Sequence, residues 1–134
     1  MTRPQEQRPL SPFMLGTYYR FQISSLLSIL HRITGVGLAF GLILFAAWLV
    51  TAAYSPEYYA KLVEFNGSIV GKLFLVGWTM AFYYHFANGL RHLNWDLGRG
   101  FKLDEMNASG WVVVAFTLSM TVLTWVIIIK KVGL

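Results

Sequence analysis

The stretch of sequence that decides the fold is residues 33–54, ITGVGLAFGLILFAAWLVTAAY, which contains no Asp, Glu, Lys or Arg. A helix needs roughly 20 mostly apolar residues to cross the hydrocarbon core of a bilayer, and this run is long enough. Two further apolar runs cover residues 69–90 and 109–129. The first of these has Lys72 near its start and His85 near its end, and the second has no charge. The pattern predicts an all-α membrane protein with three transmembrane helices.

The composition agrees with this prediction. Of the 134 residues, 56% are hydrophobic and only 13% are charged, and a chain of this length is expected to form one domain. We expect an N-terminal interfacial segment at residues 1–20 and a transmembrane domain at 21–134, with spans at about 21–54, 69–96 and 109–130. Three helices with short links cannot enclose a large site, so the polar residues in the spans predict part of a larger bundle.

Basic residues are distributed unevenly between the two ends of the expected spans. Seven lie in the N-terminal segment and the second loop, and four lie in the first loop and near the C-terminus: Arg3, Arg8, Arg20, Arg32, Arg91, Arg99 and Lys102 against Lys61, Lys72, Lys130 and Lys131. The positive-inside rule therefore predicts a cytoplasmic N-terminus. The expected location is the bacterial cytoplasmic (inner) membrane, with the mitochondrial inner membrane as the alternative. Because the charges flank membrane spans, membrane lipid is an expected partner and nucleic acid is not.

One polar cluster lies at the start of the first span. Ser28, His31, Arg32 and Gly35 have the spacing i, i+3, i+4 and i+7, so they share one face of a helix. The serine hydroxyl and the arginine can hydrogen-bond a carbonyl group or an anion, and the glycine lets a neighbouring helix or a flat ligand approach closely. The alternative is that Arg32 reaches the lipid phosphates and Ser28 bonds its own helix backbone.

A second polar cluster ends the second span. His85, Gly89, His92 and Asp96 again share one helical face. About 9 Å of helix rise separates His85 from the charged edge at Arg91, and a histidine at that depth is a candidate functional residue. A neutral imidazole there can ligate haem iron, with Gly89 leaving room for a porphyrin and with Arg91 and His92 near the propionates. The alternative is a histidine that bonds a neighbouring helix without a metal.

Other metal chemistry fits the sequence less well. The chain has three histidines and no cysteine, which excludes disulfides, thiolate ligands and covalent c-type haem attachment. The apolar runs also contain no Asp or Glu that could ligate zinc. A zinc site is therefore a weaker interpretation than a haem site.

The two clusters together resemble a known family. The motifs are Ser28-x-x-His31-Arg32-x-Thr34-Gly35 and His85-x-x-x-Gly89-Leu90-Arg91-His92-Leu93-x-Trp95-Asp96-x-Gly98, preceded by Arg8-Pro9-Leu10. They resemble the cytochrome b membrane anchor, the large anchor subunit, of succinate dehydrogenase (complex II). The resemblance covers the order of the motifs, the number of spans and the chain length.

The resemblance implies half of a heterodimeric helical bundle, completed by a second small three-helix anchor subunit. It also implies an iron–sulfur subunit and a flavoprotein subunit as partners, which hold the iron–sulfur clusters and the FAD. Succinate is oxidised at the flavin, so the anchor does not itself oxidise succinate. Electrons then pass through the clusters to ubiquinone, which is bound where the anchors meet the iron–sulfur subunit.

Residue roles follow from the same resemblance. One haem b lies between the anchors, with His85 as the axial ligand from this chain. Ser28 and Arg32 contribute to ubiquinone binding, and His31, Arg32 and His92 lie near the haem propionates. Asp96 pairs with an arginine or relays protons. The alternatives are the anchor of a fumarate reductase, a purely structural anchor without haem or quinone, and a small transporter subunit with a histidine proton relay.

Overall fold

The computed structural model describes residues 21–132, which form four helices. These are α1 (Ile23–Tyr54), α2 (Pro56–Gly67), α3 (Ile69–Asp96) and α4 (Leu103–Val132). The described residues contain no strand, so the expectation of an all-helical membrane protein is confirmed. The N-terminal interfacial segment expected at residues 1–20, with its Arg8-Pro9-Leu10 motif, lies outside the described residues.

Each break between helices has a local cause. At the first break Ser55 separates α1 from Pro56, whose fixed φ suits the first turn of α2. At the second break the Ser68 side chain accepts a hydrogen bond from the Gly71 backbone N–H at 3.1 Å and caps α3. After α3 the backbone turns at Gly98, which has a φ of 75° that glycine adopts without strain.

The third helix is the centre of the arrangement. Both α1 and α4 pack against α3. Each runs antiparallel to it, as the pairs Gly41–Trp78 and His31–His92 show for α1 and the pairs Arg91–Ser109 and Tyr83–Thr124 show for α4. By length and composition α1 and α4 can each cross a membrane. The helices α2 and α3 are long and apolar enough to cross a membrane only when they are counted as one segment. They meet at a bend of 80°. The described residues therefore contain two clear spanning helices, or three when this pair counts as one bent span.

The segment after the first span differs from the expectation of a short connection with at most a helical turn. Residues Pro56–Gly67 form a helix of 12 residues. Glu57 lies in its first turn, where a negative charge is favourable, and Lys61 one turn later bonds it at 2.7 Å. Both side chains are exposed, so this exposed pair adds little stability. The side chains of Tyr59 and Leu62 face α1 and α3 and give the helix its packed side.

The last helix also begins earlier than the sequence predicts. We expect the span from about residue 109 after a solvated connection that contains Asp104, Glu105 and Asn107, whereas α4 already begins at Leu103. The two acidic residues lie in the first turn, where they compensate the positive end of the helix dipole. Polar residues that are typical of a loop therefore stabilise the start of the helix here.

The apolar side chains mostly point outwards. The buried hydrophobic core consists of Leu27, Tyr84 and Val113, whereas large hydrophobic side chains along all three long helices are exposed, for example Phe40, Leu73 and Val122. The buried positions include polar residues, among them Asn88 and Arg91. An apolar exterior around a polar interior is what a lipid environment requires, because polar groups in the bilayer need internal partners.

Close packing between α1 and α3 depends on a glycine. A Cβ atom at Gly41 would overlap the indole ring of Trp78, so no larger residue fits unless the ring moves. At Gly37, one turn earlier on the same helix, a Cβ atom would have no neighbour within 4 Å. The two glycines therefore provide a matched pair for testing the packing.

We predict that Gly41→Ala destabilises the protein by about 1–3 kcal/mol through overpacking. Gly37→Ala should be neutral or stabilising, because alanine is a better helix former than glycine by about 1 kcal/mol. The measurement is the thermal midpoint of each variant in mild detergent beside the wild type. Equal midpoints for the two variants would contradict the packing described for Gly41.

Candidate functional site

The sequence-predicted site residues lie at one end of the bundle. There the start of α1, the end of α3 and the start of α4 meet. The Tyr84 hydroxyl of α3 donates a hydrogen bond of 2.5 Å to the Leu27 carbonyl oxygen of α1. Both residues are buried, so this bond fixes how the two antiparallel helices align. The alignment brings the first polar cluster against the second.

Three imidazole rings form a stack across the α1–α3 contact. His31 of α1 lies between His85 and His92 of α3, with ring centroids 4.0 and 4.8 Å away and planes within 8° and 16° of parallel. His85 and His92 are two helical turns apart, and Gly89 between them leaves space for the inserted ring. A Cβ atom at Gly89 would lie 3.9 Å from His31 Cε1.

The hydrogen bonds of His85 determine which ring nitrogen is free. Its Nδ1 atom lies 3.1 Å from the carbonyl oxygen of His31 and 3.3 Å from Thr34 Oγ1. A carbonyl oxygen can only accept, so Nδ1 carries the hydrogen and Nε2 holds the lone pair of the neutral ring. A Cβ atom at Gly35 would lie 3.0 Å from His85 Cε1, so a larger residue there would press against the ring.

His92 is held in a similar way. Its Nδ1 donates to the Asn88 carbonyl oxygen at 2.8 Å, and its ring meets the Trp95 ring edge-on with centroids 5.0 Å apart. His31 differs, because its buried Nδ1 has no hydrogen-bond partner among the residues that the structure describes. All three histidines are half-buried.

A buried polar row on α3 was missed by the sequence analysis. It consists of Tyr84, Asn88, Arg91 and Trp95. Each of these residues directly precedes one member of the cluster formed by His85, Gly89, His92 and Asp96, so the two rows have the same spacing and lie side by side. Asn88 is completely buried and Arg91 is 6% exposed. The sequence does carry a signal for this row, because the four residues repeat the i, i+4, i+7, i+11 spacing of a single helical face.

Arg91 faces α4 and not the surface expected for haem propionates. Its Nε donates to Ser109 Oγ at 2.9 Å and its Nη2 donates to the Met106 carbonyl oxygen at 2.8 Å. A longer contact of 3.4 Å joins Nη1 to Asn88 Oδ1, and the guanidinium lies 4.2 Å from the Trp95 ring centroid. The arginine therefore joins α3 to α4 and uses its donors within this chain.

The remaining predicted residues border the histidine stack without contacting it. Ser28 is half-buried, and its hydroxyl bonds no other residue in the described part of the chain. The backbone bond that the alternative interpretation assigned to it is absent there, whereas Thr34 on the same helix does bond Leu30 O at 2.8 Å. Arg32 and Asp96 are exposed, and neither forms an ion pair within residues 21–132.

The arrangement of the histidines restricts the metal chemistry. Within residues 21–132 no group of three or more His, Cys, Asp or Glu side chains is placed to hold a metal ion. The three imidazoles lie face to face, so their nitrogens do not converge on one point as zinc ligands do. What the site does offer is an imidazole at His85 whose Nδ1 is bonded to a carbonyl oxygen and whose Nε2 is free, with a second one held in the same way at His92 two helical turns further along α3.

Comparison with known proteins identifies the family of this chain. Residues 4–124 match the family described as succinate dehydrogenase/fumarate reductase transmembrane subunit. The chain is 41% identical over 130 residues to the succinate dehydrogenase cytochrome b556 subunit of Rickettsia felis, covering 94% of this chain and all of that protein. It is 36% identical to the cytochrome b556 subunit of Paracoccus denitrificans, covering 90% and 91% of the two chains.

A mitochondrial relative extends the comparison. The succinate dehydrogenase cytochrome b560 subunit of Homo sapiens is 35% identical over 113 residues, which cover 83% of this chain and 66% of the human protein. The fold is helical with apolar spanning helices, and the match covers nearly the whole chain. The chain therefore belongs to the family of succinate dehydrogenase and fumarate reductase transmembrane subunits, among the cytochrome b anchors of complex II.

Proposed function

We propose that this chain is the haem-ligating, quinone-binding membrane anchor of a succinate:ubiquinone oxidoreductase. One observation carries the proposal: the His85 Nδ1–H group bonds the His31 carbonyl oxygen, which leaves Nε2 as a free ligand atom. Histidines that bind metals characteristically donate their other ring N–H to a carbonyl or carboxylate, because this fixes the tautomer and the ring orientation. His85 already has that arrangement.

The site fits a b-type haem. Bound at His85, haem b would store and release one electron, and the protein would supply ligation and orientation. The glycines at positions 35 and 89 keep side chains away from the imidazoles. The relatives' names, cytochrome b556 and b560, support the same cofactor. A purely structural anchor would have no need of an oriented imidazole in its apolar segment.

The geometry supports a second axial ligand from another chain. A haem held by two histidines would need a second imidazole besides His85. His31 stacks face to face between His85 and His92, so neither His31 nor His92 is oriented to hold the same group jointly with His85. The half-buried histidine face is therefore the surface on which a second small anchor protein completes a heterodimeric bundle and supplies the other histidine.

Ser28 and Arg32 are the residues that we assign to the quinone. The Ser28 hydroxyl has no partner among the described residues and can donate to a quinone carbonyl oxygen. Arg32 is exposed and free of ion pairs in the same range, so it can stabilise negative charge on the ring as it is reduced. Asp96 lies at the same end of the bundle. Quinone reduction takes up protons, and a site at this end receives them from water without crossing hydrocarbon.

The assembly and topology follow from this placement. We infer three spans, with the quinone end of α1, α3 and α4 on the cytoplasmic side, where the basic residues concentrate. The iron–sulfur and flavoprotein subunits dock there, and succinate is oxidised in the flavoprotein and not in this chain. The relatives of Rickettsia and Paracoccus support a bacterial inner membrane. Those relatives are named succinate dehydrogenase subunits, which favours succinate oxidation over fumarate reduction.

We predict that His85→Ala abolishes or shifts the haem signal in a reduced-minus-oxidised absorption spectrum of the solubilised complex. The reason is that alanine has no ligand atom. The control is Phe86→Ala, which removes an exposed neighbour that lines the α3–α4 groove on a different face. A wild-type spectrum from an intact His85→Ala complex would contradict the ligand assignment.

We predict that Ser28→Ala lowers quinone reductase activity by about 5- to 10-fold, which corresponds to one neutral hydrogen bond. Arg32→Ala should cost about 10- to 100-fold, because a charged donor is lost. Succinate oxidation with a soluble artificial acceptor should survive in both variants. Ser25→Ala is the control, since that hydroxyl bonds its own helix at Gln22 O. Equal loss of both activities would indicate failed assembly and would count against the quinone assignment.

A further inference from the structure

A continuous column of stacked side chains connects the α3–α4 turn to the proposed haem ligand. We call it the ring column, and it consists of Trp95, His92, His31 and His85. The successive ring centroids are 5.0, 4.8 and 4.0 Å apart. Trp95 meets His92 edge-on, and the three imidazoles are nearly parallel. The column starts at the loop end of α3 and finishes at His85.

The tryptophan end of the column is firmly held. The Trp95 Nε1–H group donates to the Gly100 carbonyl oxygen at 3.1 Å, and the Arg91 guanidinium lies over its ring at 4.2 Å. Gly100 has a φ of 82°, and a Cβ atom there would lie 2.9 Å from Asn94 Nδ2 and 3.5 Å from the indole. The turn therefore closes tightly over the indole, in a backbone conformation that favours glycine.

The orientation of the His31 ring, in the middle of the column, depends on the rings on either side of it. The buried Nδ1 of His31 has no hydrogen-bond partner in the described part of the chain, so stacking on both sides sets the plane of this ring. One side of that stack is His92, which is held by its bond to Asn88 O and by the Trp95 edge. Removal of the indole leaves His92 held only by its bond to Asn88 O and by the stack on His31, and so loosens the support of His31.

The haem end of the column needs this support. The bond between His85 Nδ1 and the His31 carbonyl oxygen, with Thr34 Oγ1 also 3.3 Å from Nδ1, fixes the tautomer and the direction of the ring. The His31 ring, stacked at 4.0 Å and 8°, is a further restraint that holds the plane of the imidazole. We propose that Trp95 is a positioning residue that acts through His92 and His31 to set the plane of the axial imidazole of His85. The proposal rests on haem ligation by His85.

The electron paramagnetic resonance spectrum of low-spin ferric haem reports the plane of the His85 imidazole directly. Its g-values depend on the angle between the planes of the two axial imidazoles. The experiment compares oxidised wild-type complex with Trp95→Leu and Trp95→Phe at low temperature. We expect the leucine variant to retain haem while its largest g-value shifts or its signal broadens. Phenylalanine keeps a ring beside His92, so this variant should restore the wild-type signal more closely than leucine does.

The matched control is Trp111→Leu, because Trp111 of α4 is 64% exposed and touches none of the ring column. Its signal should equal that of the wild type. If Trp95→Leu does not assemble, Trp95→Met is measured in its place, since methionine fills irregular space without supplying a ring. A wild-type signal from either assembled ringless variant overturns the positioning role and leaves haem ligation intact. Absence of haem from the wild-type complex overturns the ligation and the positioning role together.

Discussion

The hydrogen bond from His85 Nδ1 to the His31 carbonyl oxygen is the interaction on which the rest of the site depends. It is formed between two antiparallel helices, and it exists because the Tyr84 hydroxyl bonds Leu27 O one turn away and sets their alignment. The same alignment inserts the His31 ring between His85 and His92. One helix contact therefore determines the tautomer of the proposed ligand, its orientation and the stack that supports it.

The membrane explains why α3 carries two polar rows side by side. In hydrocarbon each polar group needs an internal partner or a ligand. In the row with Asn88 and Arg91, the arginine bonds Asn88 on α3 and Ser109 and Met106 on α4, and so holds these two helices together. The row with His85 and His92 is only half-buried, and it keeps ligand atoms available. One row thus serves the fold, and its neighbour is the one to which we assign the haem and the second anchor.

Much of this organisation could be predicted from the sequence. Long apolar runs mark α1, α3 and α4, and the end expected for the first span at about residue 54 agrees with the end of α1 at Tyr54. Helical spacing also groups the histidines on one face of α3. The 12-residue helix α2 was missed, because its sequence is too polar to show an apolar run and its packed face appears only against α1 and α3.

The direction of the Arg91 side chain shows a second limit of prediction from the sequence. Spacing tells which residues share a helical face, but it does not tell which neighbouring helix that face meets. Arg91 directly precedes His92, so the sequence placed both near the same ligand. In the structure the arginine points to Ser109 and Met106 of α4, while the histidine stacks on His31 of α1. The early start of α4 at Leu103 is what places those α4 partners within reach.

The most direct test of the central claim is an experimental density map of the assembled complex, detailed enough to show the haem ligands. We predict that His85 Nε2 is bonded to the iron, with His85 Nδ1 still at hydrogen-bond distance from the His31 carbonyl oxygen and with the opposite ligand supplied by the second anchor. Iron bound to His31 or His92, or a His85 ring turned away from the haem, would contradict the account.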